Sequence, residues 1–249
     1  MFKDYFILLL LAHIIGDFYA QTDIIAQRKQ RSVRWVFLHG LLYGASVLLV
    51  CLPFASGPVF LFGGFSAIAH MLTDLLKCIL TKKKSLTPLA RRNIFFIDQA
   101  VHLLSIAALA VLFTHRGHTL LPCGIAAQVG ALSGIELLPL LPWAAALLAT
   151  HKPSNTAIAL VLALYKPEAG ESPDTQGNKR AGRFIGTLER VIMVILISMQ
   201  QYSAIGLVLT AKSIARYDKI TKDADFAEYY LLGTLMSVLA ALEIGRAHV

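Results

Sequence analysis

Charge is what this sequence has little of. Asp, Glu, Lys and Arg make up 15% of its 249 residues, where soluble domains carry about 25%, and that deficit excludes an ordinary water-soluble domain. Cysteine is scarcer still. Cys51, Cys78 and Cys123 are odd in number, far apart and without a CxxC spacing, which excludes a disulfide framework and a thiolate metal site and leaves three small apolar residues to be buried. No GxSxG stretch occurs, so the usual elbow for a serine nucleophile is missing. Acidic residues number 15 against 23 Lys and Arg, a net charge of +8. Such a surplus suits nucleic acid when it forms a patch. Here the basic residues fall in short loops between apolar runs, so nucleic acid is not an expected partner.

Hydrophobic residues, by contrast, make up 56% of the chain, and the mean hydropathy is +0.63. Apolar runs cover residues 5–20, 35–52, 58–80, 94–113 and 184–209, each near the roughly 20 residues that cross a bilayer core as a helix. The expected fold is therefore all-α, a polytopic transmembrane helix bundle of about six to eight helices with the lipid bilayer as its partner. Arg28, Lys29, Arg31 and Arg34 make residues 28–34 basic, as Lys82, Lys83, Lys84, Arg91 and Arg92 do for residues 82–92, whereas residues 53–58 carry no charge. Positive loops stay in the cytoplasm, which predicts a bacterial inner membrane protein with its N-terminus outside. Lys3 precedes the first run as in a secretory leader, but no small-x-small cleavage site follows, and the run carries His13 and Asp17; it is expected to remain as a helix.

Five stretches follow from these patterns. Residues 1–113 form a four-helix half. Residues 114–165 are apolar but interrupted by Pro122, Pro139, Pro142 and Lys152-Pro153-Ser154-Asn155, and a re-entrant hairpin is expected there. Residues 166–183 are rich in Pro, Gly and polar side chains and read as a loop. Residues 184–242 hold two closing helices, about 184–211 and 226–242. Residues 244–249 (IGRAHV) break an apolar helix with Gly, Arg and His and read as a tail foreign to the natural chain.

Within the first half, His and Asp recur at helical i,i+4 spacing: His13–Asp17, His70–Asp74 and Asp98–His102, with His39 in the remaining run. Residues so spaced share one helix face, about 6 Å apart along the axis. Runs one and three descend toward the basic loops and run four ascends, and the order within the pair inverts with direction. Asp17, His39, Asp74 and Asp98 are therefore expected in one layer and His13, His70 and His102 about one turn deeper. Ionisable side chains in hydrocarbon are costly and mark functional sites. The residues allow a metal site, interhelical hydrogen bonding, or an ion or proton path. Imidazole and carboxylate suit a divalent ion such as Zn, Fe or Mn, with carboxylates also able to orient imidazoles. Gln21 and Gln99 lie beside the acidic layer and could hold a carboxylate or a substrate group. Lys77, one turn past Asp74, either snorkels to the interface or meets a substrate anion. A second polar cluster comprises Glu189, Arg190, Lys212, Arg216 and Glu228: paired helix ends, Arg216 with Glu228 among them, or a seat for an anionic head group. His115, His118 and His151 are expected in loops.

The strings His13-Ile-Ile-Gly-Asp17-Phe-Tyr-Ala-Gln21, His39, His70-Met-Leu-Thr-Asp74-Leu-Leu-Lys77 and Asp98-Gln99-Ala-Val-His102 resemble a family of bacterial membrane proteins catalogued as domain of unknown function 3307. The likeness covers about residues 5–105. Gly186-Thr-Leu-Glu189-Arg190, Ala211-Lys212-Ser213-Ile-Ala-Arg216 and Glu228-Tyr-Tyr-Leu-Leu-Gly233-Thr234 look like the C-terminal part of longer members. The resemblance implies a multi-pass fold and a His/Asp set that belongs together; it implies no reaction.

Two functions compete. One is a metal-dependent hydrolase acting on a lipid-linked or membrane-delivered substrate, with His13, His39, His70 and His102 as metal ligands and Asp17, Asp74 and Asp98 as catalytic carboxylates. The other is an ion, proton or small-solute transporter built on the same residues. A structural role beside another membrane protein, or in a homo-oligomer, is a third.

Overall fold

The computed structural model describes residues 1–81, 85–165 and 175–248, and among them every regular element is a helix. The lysines at 82–84, residues 166–174 of the polar loop and Val249 of the tail lie outside that set. The chain divides into two units, Met1–Ala145 and Ala146–Val249.

In the first unit, α1 (Phe2–Ile14) is the inner helix. It is apolar from Tyr5 to Ala12, and Tyr5, Leu8, Leu9 and Ala12 are fully buried, as a helix without a polar face must be. It runs on as a π-helical segment, Ile15–Ala20, and leaves the helix at Gln21. Short α2 (Asp23–Arg28) follows, capped where the Ile25 N–H donates to Thr22 Oγ1 at 3.3 Å. Then come α3 (Val33–Cys51), a 3-10 turn at Leu52–Phe54, α4 (Gly57–Thr81) and α5 (Pro88–His115). The last opens with Pro88 in its first turn and Thr87 as cap, a favoured start for a helix. α1 packs on α3 and α5, and α4 packs on both of those. Tyr5 stacks on Phe113 at 3.8 Å between centroids and donates to the Val59 carbonyl at 3.2 Å.

The faces of α4 are inverted relative to a soluble helix. Ser66, His70 and Asp74 point inward, while Leu61, Ile68, Leu72, Leu76 and Ile79 are more than half exposed. That pattern is stable only where the surroundings are apolar and polar groups must find partners inside. Two glycines let α3 and α4 approach closely. A Cβ on Gly63 would lie 3.0 Å from Val47 Cγ1, and one on Gly40 would lie 3.0 Å from Met71 Cγ. Small residues take this role between helices in lipid.

α6 (Gly124–Ser133) ends at Gly134, whose φ of +69° is open to glycine without strain. α7 (Leu137–Leu162) then turns sharply away from it. This bent pair takes the place of the expected hairpin, but α7 does not stop at Lys152-Pro153-Ser154-Asn155 as the sequence suggested. Proline 153 has no N–H to give the Ala149 carbonyl, and Ser154 Oγ donates to that oxygen instead, at 2.7 Å. The helix therefore passes through the proline.

The second unit holds the rest of α7 with α8 (Thr175–Ser198), α9 (Tyr202–Ile214), α10 (Tyr217–Lys222) and α11 (Ala224–His248). α8 begins at Thr175, inside the stretch read as loop. The single helix expected over 184–211 is two, divided where Gln200 adopts φ +58°, a costly conformation for a residue with a Cβ. α11 continues through the tail to His248, with Gly245 against Ile197 of α8. Among the described residues four helices are long and apolar enough to cross a membrane, Val33–Phe54, Gly57–Thr81, Pro88–His115 and Ala224–Ala247, or five with the bent pair as one span. This is an all-α helical bundle, as expected, and the expected six to eight helices also included the first run, here α1 continued by its π segment. α9 has only 13 residues.

Candidate metal centre

The first four long runs converge on one buried cluster. His13 comes from α1, Asp17 from the π segment, His39 from α3, His70 and Asp74 from α4, and Asp98, Gln99 and His102 from α5. All three aspartates and all four of these histidines are buried, His39 completely.

The π segment changes how its pair meets. A π turn carries more residues than an α turn, and such bulges recur at functional sites. His13 and Asp17 are joined through Gln99 of α5: Gln99 Nε2 donates to Asp17 Oδ2 at 2.9 Å, and Gln99 Oε1 lies 3.2 Å from His13 Nε2. A carboxylate only accepts, so the amide nitrogen must face Asp17. The amide oxygen then faces His13, whose Nε2 carries the proton that it accepts. Gln21 stands at the end of the π segment with its Oε1 buried and unpartnered.

Asp17, His39, His70 and Asp74 form a compact set of possible ligands, and their close contacts run through Asp17 Oδ1, His39 Nε2, His70 Nε2 and Asp74 Oδ2. His39 Nε2 lies 3.2 Å from Asp17 Oδ1, 3.3 Å from Asp74 Oδ2 and 3.1 Å from His70 Nε2. His70 Nε2 lies 3.5 Å from Asp74 Oδ2 and 4.0 Å from Asp17 Oδ1. A tetrahedral ion with bonds of about 2.0–2.1 Å has ligand-to-ligand edges of about 3.3–3.4 Å, and these separations bracket that value. Two imidazoles and two carboxylates suit Zn, Fe or Mn. A second set, Asp74, Asp98 and His102, shares Asp74 with the first; His102 Nε2 and Asp98 Oδ1 are 3.6 Å apart. His13 belongs to neither set. It stands beside them, its ring 5.5 Å from that of His70 and 5.3 Å from that of His102.

Hydrogen bonding within the protein leaves this cluster under-satisfied. The buried Nδ1 atoms of His13, His39 and His70, both ring nitrogens of His102, and Oδ1 of Asp74 and of Asp98 have no hydrogen-bond partner among the described residues. Buried polar atoms are normally paired, and each orphan costs on the order of 1–3 kcal/mol. The His39–His70 contact can hold only one proton between two Nε2 atoms. With both protons on Nδ1, two lone pairs would face each other, an arrangement that a cation relieves. The donor set and its orphan atoms thus fit a metal ion. Stacking fixes the His70 ring, with Tyr43 on one face at 3.7 Å and His102 on the other at 4.1 Å. Tyr43 in turn lies against Gly16, where a Cβ would come within 2.6 Å of its ring.

Two lysines complete the charge pattern, and the sequence singled out only one of them. Lys77 Nζ is 2.7 Å from Asp98 Oδ2, so it is engaged by the cluster from one turn beyond Asp74. Lys29, read as one of four loop cations, is buried with its Nζ 2.8 Å from Asp74 Oδ2 and 3.3 Å from Asp17 Oδ1. α2 brings it there. Ile25 anchors that short helix in the core, and the Lys29 N–H donates to the Ile25 carbonyl at 2.8 Å, turning the chain back. Burial alone would lower the Lys29 pKa, but the Asp17 and Asp74 carboxylates outweigh it and hold the amine above its ordinary value, as an ammonium. No local pattern marks this residue among Arg28, Arg31 and Arg34; only the fold-back of α2 does.

The second polar cluster lies in the second unit and splits in two. Lys212 Nζ pairs with Glu189 Oε2 at 2.7 Å. Arg190 is fully buried and ties three helices together. Its Nε donates to the Thr150 carbonyl (2.7 Å), Nη1 to Ser237 Oγ (3.1 Å) and Nη2 to Asn155 Oδ1 (2.6 Å). Arg216 and Glu228 are exposed and form no ion pair with each other. His118 follows α5 in a turn near Phe62 and Phe113, whereas His115 ends α5 and His151 lies within α7 rather than in a loop.

Residues 5–123 match the model of a family described as Protein of unknown function (DUF3307), and that stretch belongs to it. It contains every residue of the buried cluster. Comparisons with curated proteins and with solved structures find no match.

Proposed function

We propose that this DUF3307 protein holds a divalent metal ion on Asp17 Oδ1, His39 Nε2, His70 Nε2 and Asp74 Oδ2, and uses it to hydrolyse an ester, amide or phosphoester delivered through the lipid. The observation that carries this reading is the four-atom set itself: two imidazole nitrogens and two carboxylate oxygens, from three separate helical elements, at separations suited to one tetrahedral ion. When bound, such an ion activates water and polarises a carbonyl or phosphoryl oxygen. The chain's own groups supply the rest. His102, with both nitrogens unpartnered, is the proton acceptor beside the set. Asp98, held by Lys77, places a carboxylate oxygen 3.6 Å from His102 Nε2. The Lys77 side chain retains 23% exposure, the most among the charged groups of the cluster, and is the natural contact for a substrate anion. Gln99 positions Asp17.

The basic residues at 28–34 and at 91–92 favour the cytoplasmic side of a bacterial inner membrane for the end of the bundle nearest Lys29, with the N-terminus outside. Substrate would then enter from the inner leaflet or the cytoplasmic face.

The test is elemental analysis of the detergent-purified protein, wild type beside His39→Ala and His70→Ala, with size-exclusion chromatography as the folding check. About one metal per wild-type chain, lost in folded variants, supports the centre; loss of a phosphoester or ester turnover in the same variants supports the hydrolase. Folded wild type that takes up no Zn, Fe or Mn would sink both. A second reading rests on a different observation, the continuous chain Lys29–Asp74–His39–Asp17–Gln99–His13, which has the form of a proton or cation path. Proton flux into liposomes, abolished by Asp74→Asn, would favour it.

A further inference from the structure

Lys29 touches the very atoms that would bind the ion. Its Nζ lies 2.8 Å from Asp74 Oδ2 and 3.3 Å from Asp17 Oδ1, the same two oxygens that belong to the four-atom set. Resting on the metal reading of that set, we propose that Lys29 is a tethered competitor: its ammonium and a divalent ion exclude each other, so that loading the site expels Lys29 and releases the turn at residues 29–32.

Charge balance argues for exclusion. The cluster holds three carboxylates, Asp17, Asp74 and Asp98, and Lys77 remains on Asp98 at 2.7 Å. One divalent ion together with Lys77 neutralises all three when the imidazoles are neutral ligands. Lys29 in addition would leave a buried excess of positive charge a few ångströms from the ion, where the low dielectric makes repulsion strong. Without the ion, Lys29 supplies one of the two counter-charges that the ion would bring, and it stands between Asp17 and Asp74 so that these carboxylates are not left facing each other in an apolar interior.

The tether has two consequences. A cation attached 12 residues from Asp17 competes at a fixed effective concentration, on the order of millimolar for a short flexible link. A monovalent ion brings no more charge than the lysine and cannot displace it at ordinary affinity, whereas a divalent ion can. Lys29 thereby selects for charge. Expulsion also has a place to happen. Lys29, Gln30 and Arg31 form a turn held by the Lys29 N–H to Ile25 O and Arg31 N–H to Arg28 O contacts, and Gln30 and Arg31 are exposed. Residue 29 can swing outward without unpacking α3.

The experiment compares wild type with Lys29→Met in nanodiscs, titrated with Zn²⁺ and Mn²⁺ against a chromophoric chelator. Arg31→Met is the control, because it removes a neighbouring charge that touches neither carboxylate. Charge-assisted hydrogen bonds set the expected scale: Lys29→Met binds about tenfold to a hundredfold tighter, and Arg31→Met stays within about twofold. Hydrogen exchange of wild type supplies a measurement that needs no variant: metal is expected to speed exchange at residues 29–32 and slow it in α3 and α4 around His39 and His70. Equal affinities for wild type and Lys29→Met, with exchange at 29–32 unchanged by metal, would overturn the inference and leave the metal site standing. No binding by either protein would overturn the metal site, and the competitor with it.

Discussion

His39 and His70 meet nitrogen to nitrogen, Nε2 to Nε2 at 3.1 Å, although they stand on different helices 31 residues apart. Each Nε2 also lies within 4.0 Å of the two carboxylate oxygens Asp17 Oδ1 and Asp74 Oδ2. Neither imidazole can satisfy all of these neighbours with one proton. The His39→Ala variant is therefore expected to weaken metal binding by far more than the tenfold typical of losing a supporting contact. Retention of wild-type affinity in a chelator competition would move the ion elsewhere in the cluster, with Asp74, Asp98 and His102 the next set to test.

The His70 ring keeps its place by stacking on Tyr43, and Tyr43 keeps its place because residue 16 is glycine. A methyl group there would sit 2.6 Å from the Tyr43 Cδ2 atom and 3.3 Å from its Cα, so neither the ring nor the backbone can yield alone. Gly16→Ala is expected to destabilise the protein by about 1–3 kcal/mol, as overpacking does, and to weaken metal binding through the displaced ring. Gly64→Ala, with nothing within 4 Å of its added carbon, is the matched control and should change stability by no more than about 0.5 kcal/mol. Thermal unfolding in one detergent, read beside metal affinity, separates the two.

Much of this arrangement could be read from spacing alone. An i,i+4 pair on an apolar helix has nowhere to go but inward, and the inversion of Asp98–His102 relative to His70–Asp74 matches a reversal of chain direction, so convergence of the four runs was legible. What was not legible depends on contacts between elements. Asp17, on the π turn, meets Gln99, His39 and Lys29 and not His13. Lys29 looks like its neighbours in Gln27-Arg28-Lys29-Gln30-Arg31, and only the anchoring of Ile25 turns it inward. In the C-terminal half the apolar runs lack such constraints. The break at Gln200 and the continuity of α7 through Pro153 are decided by side chains that hydrophobicity does not distinguish.

Arg190 is the clearest case of a side chain whose value lies in shape. Its guanidinium reaches a carbonyl of α7, a hydroxyl of α11 and an amide of α7 in three directions at once. Arg190→Met would leave the Thr150 carbonyl, Ser237 and Asn155 short of a donor, and about 2–4 kcal/mol of stability is expected to be lost. Arg190→Lys keeps the charge but cannot span the same three acceptors, so it should recover less than half of that loss. Full recovery in thermal unfolding would show that charge, and not the planar fork, is what the unit needs.

The passage of α7 through Pro153 makes a prediction about a pair. Ser154 Oγ donates to the Ala149 carbonyl at 2.7 Å, the oxygen that a residue 153 N–H would occupy in an uninterrupted helix. In the wild-type background Ser154→Ala orphans that carbonyl and is expected to cost about 1 kcal/mol. In a Pro153→Ala background the restored N–H takes the same oxygen, and Ser154→Ala should then cost about 0.3 kcal/mol or less. The coupling between the two positions is the difference, and a double-mutant cycle measures it directly. Equal costs in both backgrounds would mean that the hydroxyl serves another partner and that the helix tolerates the proline unaided. A clear coupling would show that the serine is what keeps the helix intact where the sequence pattern alone predicts its end.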